Sequence, residues 1–227
     1  MKYIKDQYSI YLRKELTAVR ERNIPDTRVH AVLFFINPSG HSLRSIDIQV
    51  LKKLGDIANV IPVIAKSDSL TLGERELFKK RIRASLQSNG IRVYPFDHED
   101  YEEEEREANS LVQSLLPFAV VSAEKTFEAD GQLFRGRQVG SGLINVENKA
   151  HCEFVQLRDF LLRTNLHDLI ETTSNTYYES FRSKQLLALK ESSAKQQAQH
   201  AQQQYTSAQP PVQGGAPQGT PVAAPGA

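Results

Sequence analysis

Lys66 and Asp68 stand two residues apart, directly after the apolar run Val60-Ile61-Pro62-Val63-Ile64 and Ala65. A short run rich in β-branched side chains that stops at a polar loop reads as a buried parallel strand. It delivers its loop to the carboxyl edge of a sheet, where open α/β sheets bind their ligands. One carboxylate at that edge can accept from both the N1-H and the N2 amino group of guanine. Adenine presents an acceptor at N1 and would be repelled. Lys66 can lay its methylene stem along a base or brace the loop. Turn chemistry fits both residues equally well, and Lys-x-Asp alone occurs by chance in many chains. Its place after a buried strand gives it meaning.

The elements that must hold this loop follow from periodicity. Residues 3–22 put Ile4, Tyr8, Tyr11, Leu12, Leu16 and Val19 at helical spacing among charged residues, which predicts an amphipathic helix broken at Asn23-Ile24-Pro25-Asp26. Arg28 to Ile36 reads as a second apolar strand, ending in the loop Asn37-Pro38-Ser39-Gly40-His41. Ser42 can cap the helix that follows, with Ile46, Val50, Leu51 and Leu54 on one face. Strand, helix, strand implies a right-handed parallel crossover. After Asp68 a helix capped within Ser69 to Thr71 extends to about Ser88, with Leu72, Leu77, Ile82 and Leu86 inward and Lys79, Lys80, Arg81 and Arg83 outward.

Ile91 to Tyr94 reads as a short strand, and Asp97 to Glu107 as an acidic stretch leading into a helix with Leu111, Leu115 and Leu116. Pro117 to Val121 is the third apolar strand, and Ser122-Ala123-Glu124-Lys125 the third loop. Three strands thus bring three polar loops to one rim. Beyond them the period changes to two, with a turn at Asp130-Gly131, so residues 126–147 predict a β-meander. Helices resume at 151–163 and 166–190. From Glu191 the chain is Gln, Ala, Pro, Gly and Ser, which bury too little surface to offset their ordering entropy, so 191–227 is expected to be disordered.

Composition narrows the function classes. The 28 basic and 27 acidic residues leave a net charge of +1, which argues against wholesale nucleic-acid binding. The one cysteine, Cys152, permits no internal disulfide and fits a reducing, cytoplasmic setting. With no His or Asp at a catalytic spacing it reads as a packing residue. No apolar run approaches the roughly 18 residues of a membrane span, and Met1 to Asp6 carries no signal-peptide core. By itself His41 is an ordinary loop histidine and Arg137 a solvated strand arginine. Asp97-His98-Glu99-Asp100 has donors for a cation, but a charged surface loop is the simpler reading.

The stretches RVHAVLFFINPSGHSLRSIDIQVLKKL, NVIPVIAKSDSLTLGE, NGIRVYPF, PFAVV, and FRGRQ followed by INVEN together resemble the septins, guanine-nucleotide-binding proteins that polymerise into filaments. The resemblance runs from Lys2 to Lys190. The ending TNLHDLIETTSNTYYESFRSKQLLALKE is most similar to fungal septins of the filament-end subgroup, without their usual coiled-coil extension. The resemblance implies an α/β, three-layered, Ras-like P-loop GTPase fold in truncated form, with the septin β-meander and a C-terminal helix. Residues 1–190 would be the G domain. Its family begins with a GxxxxGK[ST] phosphate loop and continues through a magnesium-contacting switch and a DxxG, none of which occurs in this chain. A C-terminal portion of a longer protein is therefore expected, with magnesium bound only by a full-length parent and no GTP hydrolysis by this chain alone.

Residue by residue, the resemblance assigns Lys66 and Asp68 to the guanine of GTP or GDP and Arg137, of the Gly136-Arg137 pair, to stacking on the base. Ser122 stands where septins usually carry a glycine whose backbone faces guanine, and Ser122-Ala123 is similar to the Ser-Ala-Lys loop of Ras-like proteins. His41 and Glu74 match residues that reach across to a neighbouring subunit. Ser141 departs from a tryptophan of the family beside that interface. Implied partners are other septins, in filaments at the division site, septum or cell cortex that serve cytokinesis and cell shape. Septins also bind anionic membranes through basic clusters, which is the alternative to a solvated face for Lys79 to Arg83. The other reading is an interaction module that docks on septins without nucleotide. Tyr8, Tyr11 and Leu12 in one terminal helix and Leu169, Ile170, Tyr177, Phe181 and Leu186 in the other exceed what one small sheet covers, so an exposed partner surface is expected there.

Overall fold

A computed structural model describes residues 1–17, 24–95, 103–129, 131–140 and 142–207. Its centre is β2 (Val60–Ile64), all five residues of which are buried. β1 (Val32–Ile36) pairs with it in parallel, Val32 opposite Val60 and Ile36 opposite Ile64, and β3 (Phe118–Ala119) adds on the other side, also parallel. Alternation along a strand splits β2 between two cores. Val60 and Ile64 enter one with Tyr8, Leu51, Phe78 and Ile82, which come from α1 (Lys2–Leu16), α2 (Ser45–Gly55) and α3 (Leu72–Ser88). Ile61 and Val63 enter the other with Phe118, Phe160, Leu157 of α5 (Phe154–Asp159) and Leu169 of α6 (Leu166–Thr172). α4 (Glu103–Leu115) precedes β3. Helices on both faces of a parallel sheet make the three layers expected from sequence.

The meander is a separate antiparallel sheet of β4 (Lys125–Ala129), β5 (Gln132–Val139) and β6 (Gly142–Asn145). Residues Met1–Arg182 form one compact unit. The described part of the second unit, from Ser183, is the remainder of α7 (Glu179–Ser207). Among the described residues no helix is long and apolar enough to cross a membrane.

Several expectations are corrected. β1 begins at Val32 rather than Arg28, because Arg28 turns aside to Asp26, with Nη2 2.6 Å from Oδ2, and lies 4.1 Å from the centre of the Tyr11 ring. Ile91 to Tyr94 is not a strand; Tyr94 N-H alone donates to Val60 O at 3.0 Å. Ile46 is exposed, and at the start of α2 it is the Asp47 carboxylate, accepting from the Arg44 N-H and guanidinium, that serves in place of a Ser42 cap. On α3 Leu72 and Leu77 are exposed while Phe78 and Lys79 are buried. Of its four supposedly outward cations, Lys79 meets Glu153 at 2.6 Å, Arg81 Nη1 donates to Gly40 O at 2.6 Å and Arg83 Nη1 to Ser114 O at 2.7 Å.

Within 166–190 the helix passes through a π-type segment at Thr173–Tyr178 and does not stop at Lys190. It continues to Ser207, since Gln, Ala, Lys and Glu are good helix formers and neither Gly nor Pro intervenes. The disorder expected from 191 is thereby corrected as far as Ser207, and the rest of that tail lies outside the described residues. The surplus apolar surface of the terminal helices is largely covered from within. Tyr8, Leu12, Leu169 and Tyr177 are buried, and the Tyr8 ring lies 6.0 Å from Tyr178 and 5.6 Å from Phe181.

Candidate nucleotide-base site

The loop after β2 is held in an unusual conformation. Lys66 adopts φ 48° and ψ 47°, the one positive φ at a non-glycine position among the described residues. Such a residue costs roughly 1–2 kcal/mol and persists only where its surroundings impose it. Here Ser69 returns both its hydroxyl (2.7 Å) and its N-H (3.1 Å) to Lys66 O. Ser67 N-H donates to Val120 O at 3.1 Å, tying this loop to the exit of β3. The turn leaves Asp68 with its side chain 10% exposed and its Oδ1 buried without a hydrogen-bond partner. A buried carboxylate oxygen with nothing donating to it is costly unless a ligand supplies the donor. That property fits the paired N-H groups of guanine.

Arg137 arrives from the meander. Its Nε lies 3.7 Å from Asp68 Oδ2 and 3.3 Å from Glu124 Oε1, near enough for charge attraction but without the alignment of a hydrogen bond. Gly136 beside it is required by space. A Cβ there would stand 2.6 Å from Ile144 O and 3.0 Å from the Phe127 ring, so no side chain fits where the three strands cross. Glu124 N-H donates to Gly136 O at 2.8 Å, fastening the Ser122-Ala123-Glu124 loop to the same point of β5. Ala123 is half-buried against the small cluster of Val121, Val146 and Cys152, and Ser122 is exposed.

The fold therefore brings Lys66, Asp68, Ser122, Ala123 and Arg137 to one rim from three separate segments. His41 and Glu74 belong to flanking positions. His41 is exposed on a loop pinned by Arg81 at Gly40 O, and Glu74 is exposed and closes a capping box in which its Oε2 accepts from Thr71 N-H and Oγ1, both at 2.8 Å. Those bonds hold the Glu74 carboxyl below its usual range. The capping role was legible in Thr71-Leu72-Gly73-Glu74 and was missed. Missed too were Glu124, the fourth charge of the site, and buried Ser67. Cys152 is a packing residue whose thiol donates to Val146 O. Ser141 and Asp97 to Asp100 lie outside the described residues.

The family model for septins matches residues 1–195. The chain belongs to the septin family. This septin is 55% identical over 194 residues to Cell division control protein 10 of Candida albicans, a match covering 86% of this chain and 54% of that protein. It is 57% identical over 194 residues to Septin homolog spn2 of Schizosaccharomyces pombe, covering 86% and 59%. The septin thus spans little more than half the length of these relatives. Among solved structures it is similar to Cdc11 from Saccharomyces cerevisiae, with 34% identity, a TM-score of 0.54, and coverage of 81% of this chain and 73% of that one. The Ras-like α/β reading of the fold accords with that likeness.

Proposed function

We propose that this septin is a subunit of a filament in which the rim at Asp68 receives the guanine of GTP or GDP. The observation that carries the reading is the buried, partnerless Oδ1 of Asp68 beside Arg137, on the sheet edge to which Ser67 N-H ties the exit of β3 before Ser122 and Ala123. Asp68 would accept from the base's N-H groups, Arg137 would cover its face, and the Ala123 N-H is a donor of the kind its carbonyl O6 needs. His41 and Glu74, exposed beside the rim, would meet the neighbouring subunit. The nucleotide's phosphates supply the remaining binding energy in proteins that carry a phosphate loop, and no GxxxxGK[ST] occurs in these 227 residues. Hydrolysis by this chain alone is therefore not part of the proposal.

The name of the Candida albicans relative points to cell division, so assembly with other septins in a ring at the division site is the role proposed for the whole protein. Lipid binding through α3 would fall to Lys80 and Arg81, which are exposed, since Lys79 is buried against Glu153. The missing phosphate-loop sequence favours one second reading, an interaction module that docks on other septins without nucleotide. Titration of the 15N-labelled chain with guanosine distinguishes the two. Shifts at Asp68 and Ala123 with guanosine and none with adenosine support a base site, and silence with both leaves the docking module.

A further inference from the structure

The rim loop that follows β3 needs a rigid support, and the strand itself is only two residues long, at the edge of its sheet. Its last residue, Ala119, points its hydrogen-bonding groups away from β2. Both go to one residue: Ala119 N-H donates to Glu153 Oε2 at 2.7 Å, and Ala119 O accepts from Glu153 N-H at 2.8 Å. Glu153 thus serves the strand edge as a neighbouring strand would. Although it stands at the start of α5, its carboxylate caps nothing there. Its second oxygen is taken by Lys79 Nζ at 2.6 Å, and Lys79 also donates to Leu115 O at 3.0 Å, just before β3. The side chains are 4% and 14% exposed, so the pair is a buried ion pair.

The next residue, Val120, is gripped from the opposite side. Its N-H donates to Ile64 O and its O accepts from Ser67 N-H, the residue between Lys66 and Asp68. Consecutive residues are therefore fixed by α3 and α5 on one side and by the Lys66-Asp68 loop on the other, immediately before Val121, Ser122 and Ala123. Val121 and Ala123 pack on Cys152, the neighbour of Glu153 in sequence. We propose that Lys79 and Glu153 are a positioning pair that sets the height of the Ser122-Ala123 backbone against the guanine carbonyl. This rests on the base-site reading above. Buried ion pairs contribute little net stability against apolar replacements and are retained where they specify one geometry, which is the use assigned here.

The test separates the loop contact from the Asp68 contact with three nucleosides titrated into the 15N-labelled full chain. 6-Thioguanosine replaces O6 by a weakly accepting sulfur while keeping N1-H and the N2 amino group, and reports the loop; inosine lacks only the N2 amino group and reports Asp68. In Lys79→Met the preference for guanosine over 6-thioguanosine is expected to fall about tenfold, the worth of one well-made hydrogen bond. The preference over inosine stays, and Lys79→Arg restores wild-type behaviour. If Lys79→Met does not fold, Glu153→Gln carries the same readout, since it keeps an acceptor for Ala119 while removing the charge. A variant with a lower melting temperature but both preferences intact overturns the proposal and leaves the pair purely structural. Asp68→Asn run alongside locates a failure. If it too is silent, the base-site reading falls and the positioning role with it; if it abolishes guanosine shifts while Lys79 variants do nothing, only the positioning role is refuted.

Discussion

Asp68→Asn is expected to separate stability from recognition. Within the chain the carboxylate is poorly satisfied, with Oδ1 buried and partnerless and Oδ2 3.7 Å from Arg137 Nε without an aligned hydrogen bond. Two unit charges at that distance attract by about 4 kcal/mol in an effective dielectric near 20. Burying the carboxylate costs several kcal/mol in return. Arg137, moreover, keeps Glu124 at 3.3 Å when Asp68 is neutralised. The terms nearly cancel, so the substitution should change stability by less than about 1 kcal/mol and move the melting temperature by less than about 4 °C. Recognition should respond in the opposite way. The new amide can present an NH2 where guanine also donates, and losing one partner of a buried charged pair costs about 2–5 kcal/mol, or thirtyfold and more in affinity. Scanning calorimetry and guanosine titration on the same preparation measure both. A variant that melts more than about 10 °C lower yet shifts normally with guanosine would refute the reasoning and make Asp68 a turn residue.

Phe181→Ala should destabilise the chain itself by about 2 kcal/mol, because Phe181 is half-buried against Tyr8 within its own unit; chemical denaturation with an unchanged midpoint would contradict this. GDP should bind the purified chain at best very weakly, and calorimetry giving micromolar affinity would show that phosphate contacts exist which the sequence does not reveal. Burial pushes the Tyr8 phenol up from 10.0 to about 12, with Arg28 pulling it down and Asp26 adding to the rise. A raised pKa stabilises the fold fully below the unfolded value and loses that contribution as pH climbs through the folded one, so stability should decline between about pH 10 and 12. Tyr8→Phe, which also forfeits the 2.9 Å bond to Ile57 O, should flatten that decline; an identical alkaline slope would assign it to Tyr177 and Tyr178 instead.

The sequence by itself determined the three parallel strands, the rim they feed and the carboxylate, Asp68, that stands on it. A five-residue apolar run such as Val60 to Ile64 can be buried only in a sheet covered on both faces, and a polar loop after it can lie only at an edge, so local pattern suffices. The meander was legible for the same reason, through its period of two and the Asp130-Gly131 turn. Tertiary structure decided what depends on partners distant in sequence. Lys79 has the sequence context of a solvated helix face and is buried because Glu153, 74 residues away, supplies its counter-charge. Glu124 joins the site because β5 returns Arg137 beside it. The terminal helices, too apolar to stand alone, cover each other through Tyr8, Tyr178 and Phe181, since burial is a property of the assembled surface and not of any one segment's periodicity.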